Sequence, residues 1–199
     1  MDYYKLSNEL RYQCQLIHKQ SQNVFEVCLN TSILCETYNT PIIEKITENL
    51  AKISKDINQE TKKILEYTTN VCRYTLDIKR NYILYDKFKQ ALLLVDKNSL
   101  NILENSLQKI RNEIRHQTMN SIENIQHVNI LYAKLYKLNE KVWVSLNNIK
   151  IEMSTQENLS AFEQICLQFE DITQGINTIL ININQFQKNL LNILENELK

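Results

Sequence analysis

A heptad repeat of apolar residues between Pro41 and Val95 is the feature that most limits what this chain can fold into. Spacings of three and four residues place two interleaved series on one face of a long α-helix, a face that other helices must cover. The first series is Ile43, Leu50, Ile57, Ile64, Val71, Ile78, Tyr85 and Leu92. The companion series is Ile46, Ile53, Glu60, Tyr67, Tyr74, Asn81, Phe88 and Val95.

The composition supports an all-α fold, because the 199 residues include only one Gly and one Pro. Folds with β-sheets use both residues repeatedly at tight turns, so they are not expected here. The 23 basic and 23 acidic residues are interspersed along the chain. Nucleic-acid binding usually needs a concentrated basic face, and we therefore do not expect a nucleic-acid partner.

Two further classes are not expected from the sequence. No apolar run approaches the ~18 residues of a membrane-spanning helix, and the longest, Ala91 to Val95, is far too short. The first residues lack the basic start and apolar core of a secretory signal. We therefore predict a cytoplasmic protein without a transmembrane segment, for which peripheral contact with a membrane stays open.

Three breaks divide the chain into helices. At the first, Asn39 is suited to the left-handed conformation that ends a helix, Thr40 to the N-cap and Pro41 to the first helical position. The second break lies at 96–99, where Asp96 or Ser99 is the predicted cap. At the third, Ser154 and Glu157 have the spacing of a capping box. The predicted helices, in one domain spanning 1–199, are 3–36, 41–95, 99–153 and 155–198.

These helices predict an elongated antiparallel four-helix bundle, or coiled coil, built on a long helical hairpin. Helices two and three are similar in length and joined by a short connection, so helices one and four fold back along them. In the alternative arrangement, the helices stay extended and another chain completes the core. Helix four carries the series Phe162, Ile165, Phe169, Ile172, Ile176, Ile179, Ile183, Phe186, Leu190 and Ile193, with Gly175 inside it.

Polar residues interrupt the apolar seams in helices two and three. Glu60 and Asn81 occupy seam positions of helix two, where a polar residue either fixes the register of packing or marks a locally exposed seam. In helix three, polar residues take the expected seam while Ile122 and Ile125 lie beside it, which predicts a phase shift. The polar residues concerned are Gln117, Ser121 and Asn124.

The sequence offers little support for enzymatic chemistry. A single glycine cannot form a phosphate-binding loop. Glu113 and His116 match the Glu-x-x-His unit of di-iron bundles, but that chemistry needs a second unit, which is missing. Helix one contains Cys14, Ser21, Cys28 and Cys35 at intervals of seven, too far apart to share a zinc ion, and these are interpreted as small core residues. We predict no catalytic, metal or cofactor site.

A non-enzymatic interaction protein is the function that the sequence favours: a scaffold, a tether or a subunit of a larger helical assembly. The predicted partner contacts are Trp143, Val144, Gln117, Ser121 and Asn124, since Trp143 lies between two valines that cannot all face one seam. We expect a protein partner, which the chain contacts through its helical seams in a homo- or hetero-oligomer. The alternative is a membrane-active or membrane-remodelling helical module, for which Ala91 to Val95 is the candidate tip.

Overall fold

The prediction of an all-α helical bundle is confirmed. The computed structural model describes residues 3–94, 97–154 and 160–198, although not the side chains of 97–99 and 161. Within these ranges the chain forms four helices and no strand. The helices are α1 (Tyr3–Tyr38), α2 (Pro41–Ala91), α3 (Lys97–Ser154) and α4 (Ser160–Glu197).

Contacts between residues divide the chain into two compact units, and each unit contains parts of all four helices. Unit 1 comprises Met1–Arg11, Glu66–Val128 and Gln185–Lys199. Unit 2 comprises Tyr12–Leu65 and Asn129–Asn184. The prediction of a single domain stays a prediction.

The boundary between α1 and α2 follows from local backbone chemistry. Asn39 has a φ of 51°, the left-handed conformation predicted for it. The Thr40 amide then donates to the carbonyl of Cys35 at 3.1 Å, which closes the end of α1. α2 begins at Pro41 as predicted, and the carbonyl of Thr40 accepts the first helical bond from Glu44 at 3.0 Å. The Thr40 hydroxyl is buried beside the Cys35 thiol and makes no hydrogen bond to the described amides of the first turn of α2, so it does not cap the helix.

The other two predicted boundaries differ from the structure by a few residues. α2 ends at Ala91 instead of 95, and its last turn tightens through a bond from the Leu94 amide to the Ala91 carbonyl at 3.0 Å. α3 begins at Lys97 instead of 99. The proposed capping box falls largely on residues 155–159, outside the described residues; Ser154 ends α3 and donates to the carbonyl of Ile151.

One of the two predicted heptad series is buried as predicted, and the core positions of the other lie one residue later than predicted. In α2 the first predicted series is fully buried up to Ile78, but the companion series is half-buried at best. The buried companions are instead Thr40, Thr47, Ser54, Thr61, Thr68 and Thr75, a set that also repeats every seven residues. The companion series of α4 shows the same shift of one residue. Ile165 and Ile179 of the predicted series are buried, but the positions that are buried at every heptad are Cys166, Thr173, Leu180, Gln187 and Leu194. The predicted series was Ile165, Ile172, Ile179, Phe186 and Ile193.

The predicted phase shift in α3 is wrong. Ile125 is completely buried, and the seam continues without interruption at spacings of three and four. Thr118 and Ser121 occupy seam positions as small buried residues, so the seam contains polar side chains without changing phase. The buried residues concerned are Ile114, Thr118, Ser121, Ile125 and Val128.

Small side chains form the packing surface between α1 and α2. The small-residue ladder consists of Ser7, Cys14, Ser21, Cys28 and Cys35 on α1 and the six buried Thr and Ser positions listed above, of which Thr40 directly precedes α2 and the others lie on it. In unit 1 the Ser7 and Thr75 hydroxyls are 2.9 Å apart, and in unit 2 the Ser54 hydroxyl donates to the Ser21 carbonyl at 2.8 Å. The prediction that the cysteine row consists of small core residues is confirmed.

The ladder tolerates buried hydroxyls because its own helix satisfies most of them. Thr47 donates to the carbonyl of Ile43 at 2.9 Å, and Thr61 donates to that of Ile57 at 2.8 Å. A threonine bonded in this way presents mainly its methyl group to the neighbouring helix and leaves no donor unpaired. The residues are therefore polar in a hydropathy pattern and yet suitable for the core.

Gly175 in α4 is not required by close packing. A Cβ added there would lie 3.5 Å from Gln20 Nε2, which is an ordinary contact. We therefore expect Gly175→Ala to raise the free energy of unfolding by up to about 1 kcal/mol through helix propensity. Thermal unfolding checks this, with Ala133→Gly on the exposed surface of α3 as the reciprocal control. A loss of stability in Gly175→Ala would contradict the prediction.

Candidate functional site

Among the residues whose side chains the structure describes, the hairpin formed by the end of α2 and the start of α3 has no buried residue. We call residues 79–94 and 97–113 the bare hairpin. Between Ile78 and Ile114, both buried, every side chain that the structure describes is exposed or half-buried. Two helices alone cannot enclose a core stripe, which needs a third element to cover it. The bare hairpin is thus the part of unit 1 that is incomplete as a bundle.

The bare hairpin starts at the level where α1 begins and α4 ends. Near the start of α1, Ser7 contacts Thr75, and the ring of Tyr4 lies 5.7 Å from the Lys79 ammonium. At the other terminus, the Glu197 carboxylate accepts a hydrogen bond from the Tyr82 hydroxyl. Burial raises the pKa of this Tyr82 hydroxyl, and the neighbouring Glu197 carboxylate raises it further. The contacts at Thr75 and at Tyr82 mark the level in unit 1 up to which α1 and α4 lie beside α2 and α3.

An apolar stripe nevertheless continues along one face of the bare hairpin. In α2 the buried heptad position of Ile78 is followed by Tyr85 and Leu92, and in α3 the heptad position of Ile114 is preceded by Leu107 and Leu100. All of these continuing residues are half-buried. We call them, with their charged neighbours, the open face, because no other described helix covers them.

Charged side chains border the open face. Seven and fourteen residues after Thr75, the heptad positions of the ladder are occupied by Tyr82 and Lys89. On α3, Arg111 and Glu104 take the corresponding positions before Thr118. The Arg111 guanidinium lies 5.9 Å from the Tyr85 ring centroid and donates to its hydroxyl at 3.4 Å. Tyr85, Leu107, Glu104 and Arg111 together line a shallow depression.

The apex of the bare hairpin is the most exposed apolar surface among the described residues. Leu93 and Leu94 are 85% and 88% exposed, and Ile102 on α3 is 69% exposed. Single exposed leucines are common on protein surfaces, but several at one end of a hairpin form a patch, and patches mark contact sites. The apex lies where the sequence predicted a candidate tip.

The five predicted partner contacts are not brought together by the structure. Val144 is 60% exposed and Trp143 is half-buried beside it on α3. Ser121 is completely buried and Gln117 nearly so, and these two have neighbours within the chain; Asn124 is half-buried and donates to the carbonyl of Asn120 at 2.7 Å. Partner contact at Trp143 and Val144 stays a prediction.

The two predicted register-setting residues both interact with α3. In unit 2, Glu60 lies 3.0 Å from Lys63 of its own helix and 3.8 Å from Lys134 of α3. In unit 1, Asn81 donates to Gln117 at 3.0 Å, and Gln117 donates to Glu113 at 2.9 Å. Both seam positions are half-buried, and their partners offer a means of fixing the register of α2 against α3.

The described residues contain no group of three or more metal-ligating side chains. The Glu113 carboxylate accepts from Gln117, and His116 lies 3.2 Å from Asn120. No disulfide joins any of the five cysteines, which are all buried, and burial raises the pKa of Cys28 to about 12. A neutral, enclosed thiol is a poor nucleophile and a poor metal ligand.

The chain matches no protein-family model, no curated protein and no solved structure. Among the described residues, no helix has a segment both long and apolar enough to cross a membrane. The bare hairpin is therefore the feature of the molecule from which we infer a function. Sequence reasoning missed it, although one signal was present: the Thr and Ser ladder of α2 gives way to Tyr82 and Lys89.

Proposed function

We propose that this chain is a non-enzymatic interaction module that binds a helical partner protein through its bare hairpin. The single observation that carries the proposal is an apolar stripe that is buried up to Ile78 and from Ile114 onward, but uncovered at the described side chains between them. An amphipathic helix, or a pair of helices, laid over the open face would bury Tyr85, Leu92 and Leu107 as α1 and α4 bury the rest of the seam.

The character of the partner follows from the charges around this stripe. The hairpin segment 79–113 contains seven basic and four acidic residues, although the whole chain has a net charge of zero. A partner helix with an apolar stripe and acidic borders would complement Lys89 and Arg111. The proposal includes a reducing, cytoplasmic environment, which five buried cysteines without a disulfide support.

Substitution in the open face tests the proposal. We expect Leu107→Asp to weaken binding of the native partner by at least about tenfold, because a carboxylate would be desolvated in the contact. The measurement is capture from the native source by the tagged chain, followed by titration calorimetry with the purified partner. Ile130→Asp, an exposed apolar position of α3 in unit 2, is the matched control.

Two outcomes would count against this function. One is equal partner affinity for the wild type and Leu107→Asp, provided that circular dichroism shows equal helicity. The other is loss of binding in Ile130→Asp alone, which would move the contact to the outer surface of α3 near Val144. Either result would remove the bare hairpin from the interaction.

The alternative function, a membrane-active module, is favoured by one observation. The exposed leucines of the apex, Leu93 and Leu94, have Lys87 and Lys89 on the preceding turn of α2. Apolar residues beside basic ones are suited to the interface of an anionic bilayer. Asp86 and Glu104 reduce this local positive charge, which makes a protein partner the better supported choice.

A further inference from the structure

We infer that the partner helix is anchored by one of its acidic side chains, whose carboxylate binds two arginines in a cavity at the edge of the open face. The inference rests on the proposed function, because it names the chemistry by which the same partner is recognised. The cavity, of about 400 Å³, is called the arginine cavity below. Its polar lining consists of Arg111 and Arg115 of α3, Tyr82 and Tyr85 of α2, and Glu197 of α4.

The two arginines of this cavity have no carboxylate partner among the described residues. They lie one turn apart on α3, and both side chains are exposed. Neither forms an ion pair there, and the Arg111 guanidinium donates to the Tyr85 hydroxyl at 3.4 Å instead. By contrast, Arg80 of α2 lies 3.5 Å from the Asp77 carboxylate. Two guanidiniums on one cavity offer the forked set of N–H donors that binds a carboxylate.

The charges around the arginine cavity favour a monoanion. Arg111 and Arg115 bring two positive charges and the Glu197 carboxylate brings one negative charge, which leaves one positive charge in excess. Glu197 accepts a hydrogen bond from the Tyr82 hydroxyl and forms no ion pair with either arginine. One added carboxylate therefore makes the cavity neutral. A phosphate dianion would instead leave an excess of negative charge beside Glu197, where like charges repel.

The apolar surroundings indicate that this carboxylate is carried by the side chain of a helix. Ile114, which is buried, and Leu198 complete the lining and suit the methylene groups of a glutamate. The arginine cavity adjoins the shallow depression at Leu107, of about 120 Å³, because Tyr85 and Arg111 line both. A helix that fills both spaces presents an acidic and an aliphatic residue on one face, roughly three or four positions apart. The partner helix is thus expected to carry this pair.

Propionate tests the cavity without the partner, because it has the structure of a glutamate side chain. We expect propionate at neutral pH and constant ionic strength to shift the side-chain NMR resonances of Arg111 and Arg115 in a saturable way, with half-saturation at about 10 mM. Propionamide, its uncharged analogue, should give no saturable shift. Arg115→Gln should raise the half-saturation concentration by at least about tenfold, because one guanidinium is lost.

Arg73→Gln is the matched control for this measurement. Arg73 is also an exposed arginine in unit 1 beside a tyrosine, 5.1 Å from the ring centroid of Tyr74, but it does not line the arginine cavity. This variant should bind propionate as the wild type does. A wild-type chain that does not bind propionate, or binds it equally after Arg115→Gln, overturns the inference. Saturable binding of inorganic phosphate without binding of propionate would make the cavity a phosphate site and also overturns it.

The partner protein, captured and titrated as for Leu107→Asp, gives the second readout. Arg115→Gln should weaken its binding by at least about tenfold, whereas Arg73→Gln should leave the affinity unchanged. If Leu107→Asp weakens the partner and Arg115→Gln does not, the proposed function holds and the inference is wrong. If propionate binds to the two arginines but neither Leu107→Asp nor Arg115→Gln changes partner affinity, the proposed function fails, and the inference fails with it.

Discussion

Enlarging the small-residue ladder should destabilise the protein more than any comparable change at its surface. The double variant Ser21→Leu with Ser54→Leu is expected to lose about 2–6 kcal/mol of unfolding free energy, from about 1–3 kcal/mol of overpacking at each site. Ser21 and Ser54 are buried opposite each other, and the Ser54 hydroxyl donates to the Ser21 carbonyl at 2.8 Å. Two leucines would force α1 and α2 apart at this level.

Urea unfolding followed by circular dichroism measures this loss, with all variants at the same protein concentration because self-association would shift the midpoint. The matched control is Gln22→Leu with Lys52→Leu, which makes the same product residues at exposed neighbours on the same two helices. The control is expected to stay within about 1 kcal/mol of the wild type. A ladder variant as stable as the control, or more stable than the wild type, would show that apolar character, not size, decides these positions.

The ladder also explains which parts of the fold the sequence could predict. Helix number, type and most boundaries follow from local signals such as Asn39, Pro41 and the apolar heptads, which act within a few residues. The companion core positions do not, because Thr47, Ser54 and Thr61 look polar in a hydropathy pattern. Their suitability for the core depends on hydrogen bonds to carbonyls of the same helix and on a neighbouring helix at close range. These are properties of the packed structure.

The companion core positions of α2 and α4 were predicted one residue too early for the same physical reason. A helix in a four-helix bundle contacts two neighbours, so its buried stripe is wider than the seam of a two-stranded coiled coil. Residues such as Phe186 lie at the edge of that stripe and remain half-buried, whereas Gln187 lies deep within it. Hydropathy alone selects the phenylalanine. The buried Gln187 side chain has no hydrogen-bond partner among the described residues, which is an energetic cost that no heptad pattern predicts.

The candidate site was less accessible to sequence reasoning than the fold. Apolar residues continue from Ile78 through Tyr85 to Leu92 without a change of period, so the sequence extends the seam smoothly to the turn. Whether a stripe is covered depends on where the other helices end, and that depends on the register of α1 and α4 against α2 and α3. The contacts of Ser7 with Thr75 and of Tyr82 with Glu197 fix this register in unit 1. They join residues far apart in the chain, which no heptad count can align.

Alkaline pH should destabilise the folded chain through its buried thiols, and Cys28 is the best position at which to measure the effect. Burial raises the pKa of Cys28 from 9.0 to about 12. Well below pH 9 the thiol is protonated in the folded and unfolded states alike, and its contribution to stability does not depend on pH. Between pH 9 and 12 the unfolded state releases the proton while the folded state retains it, so stability falls as pH rises.

The expected size of this effect follows from the same shift. From pH 8 to pH 10.5 the Cys28 thiol alone should remove about 2 kcal/mol of unfolding free energy, at about 1.4 kcal/mol per unit above the unfolded pKa. Burial also raises the pKa values of Cys35, Cys72 and Cys166, and the total loss should therefore be larger. Urea unfolding in a reducing buffer at the two pH values gives the comparison.

The matched variant for this measurement is Cys28→Ala, which removes the titrating group. It is expected to be less stable than the wild type at pH 8, because the ladder loses a sulfur atom from a fully packed position. At pH 10.5 that difference should shrink by about 2 kcal/mol, since only the wild type carries the additional cost. Lysine and tyrosine titration affects both proteins equally and cancels in the comparison. Equal pH dependence in the two proteins would contradict this prediction. It would mean that the Cys28 thiol ionises as readily in the folded chain as in the unfolded one, although it is buried in the ladder.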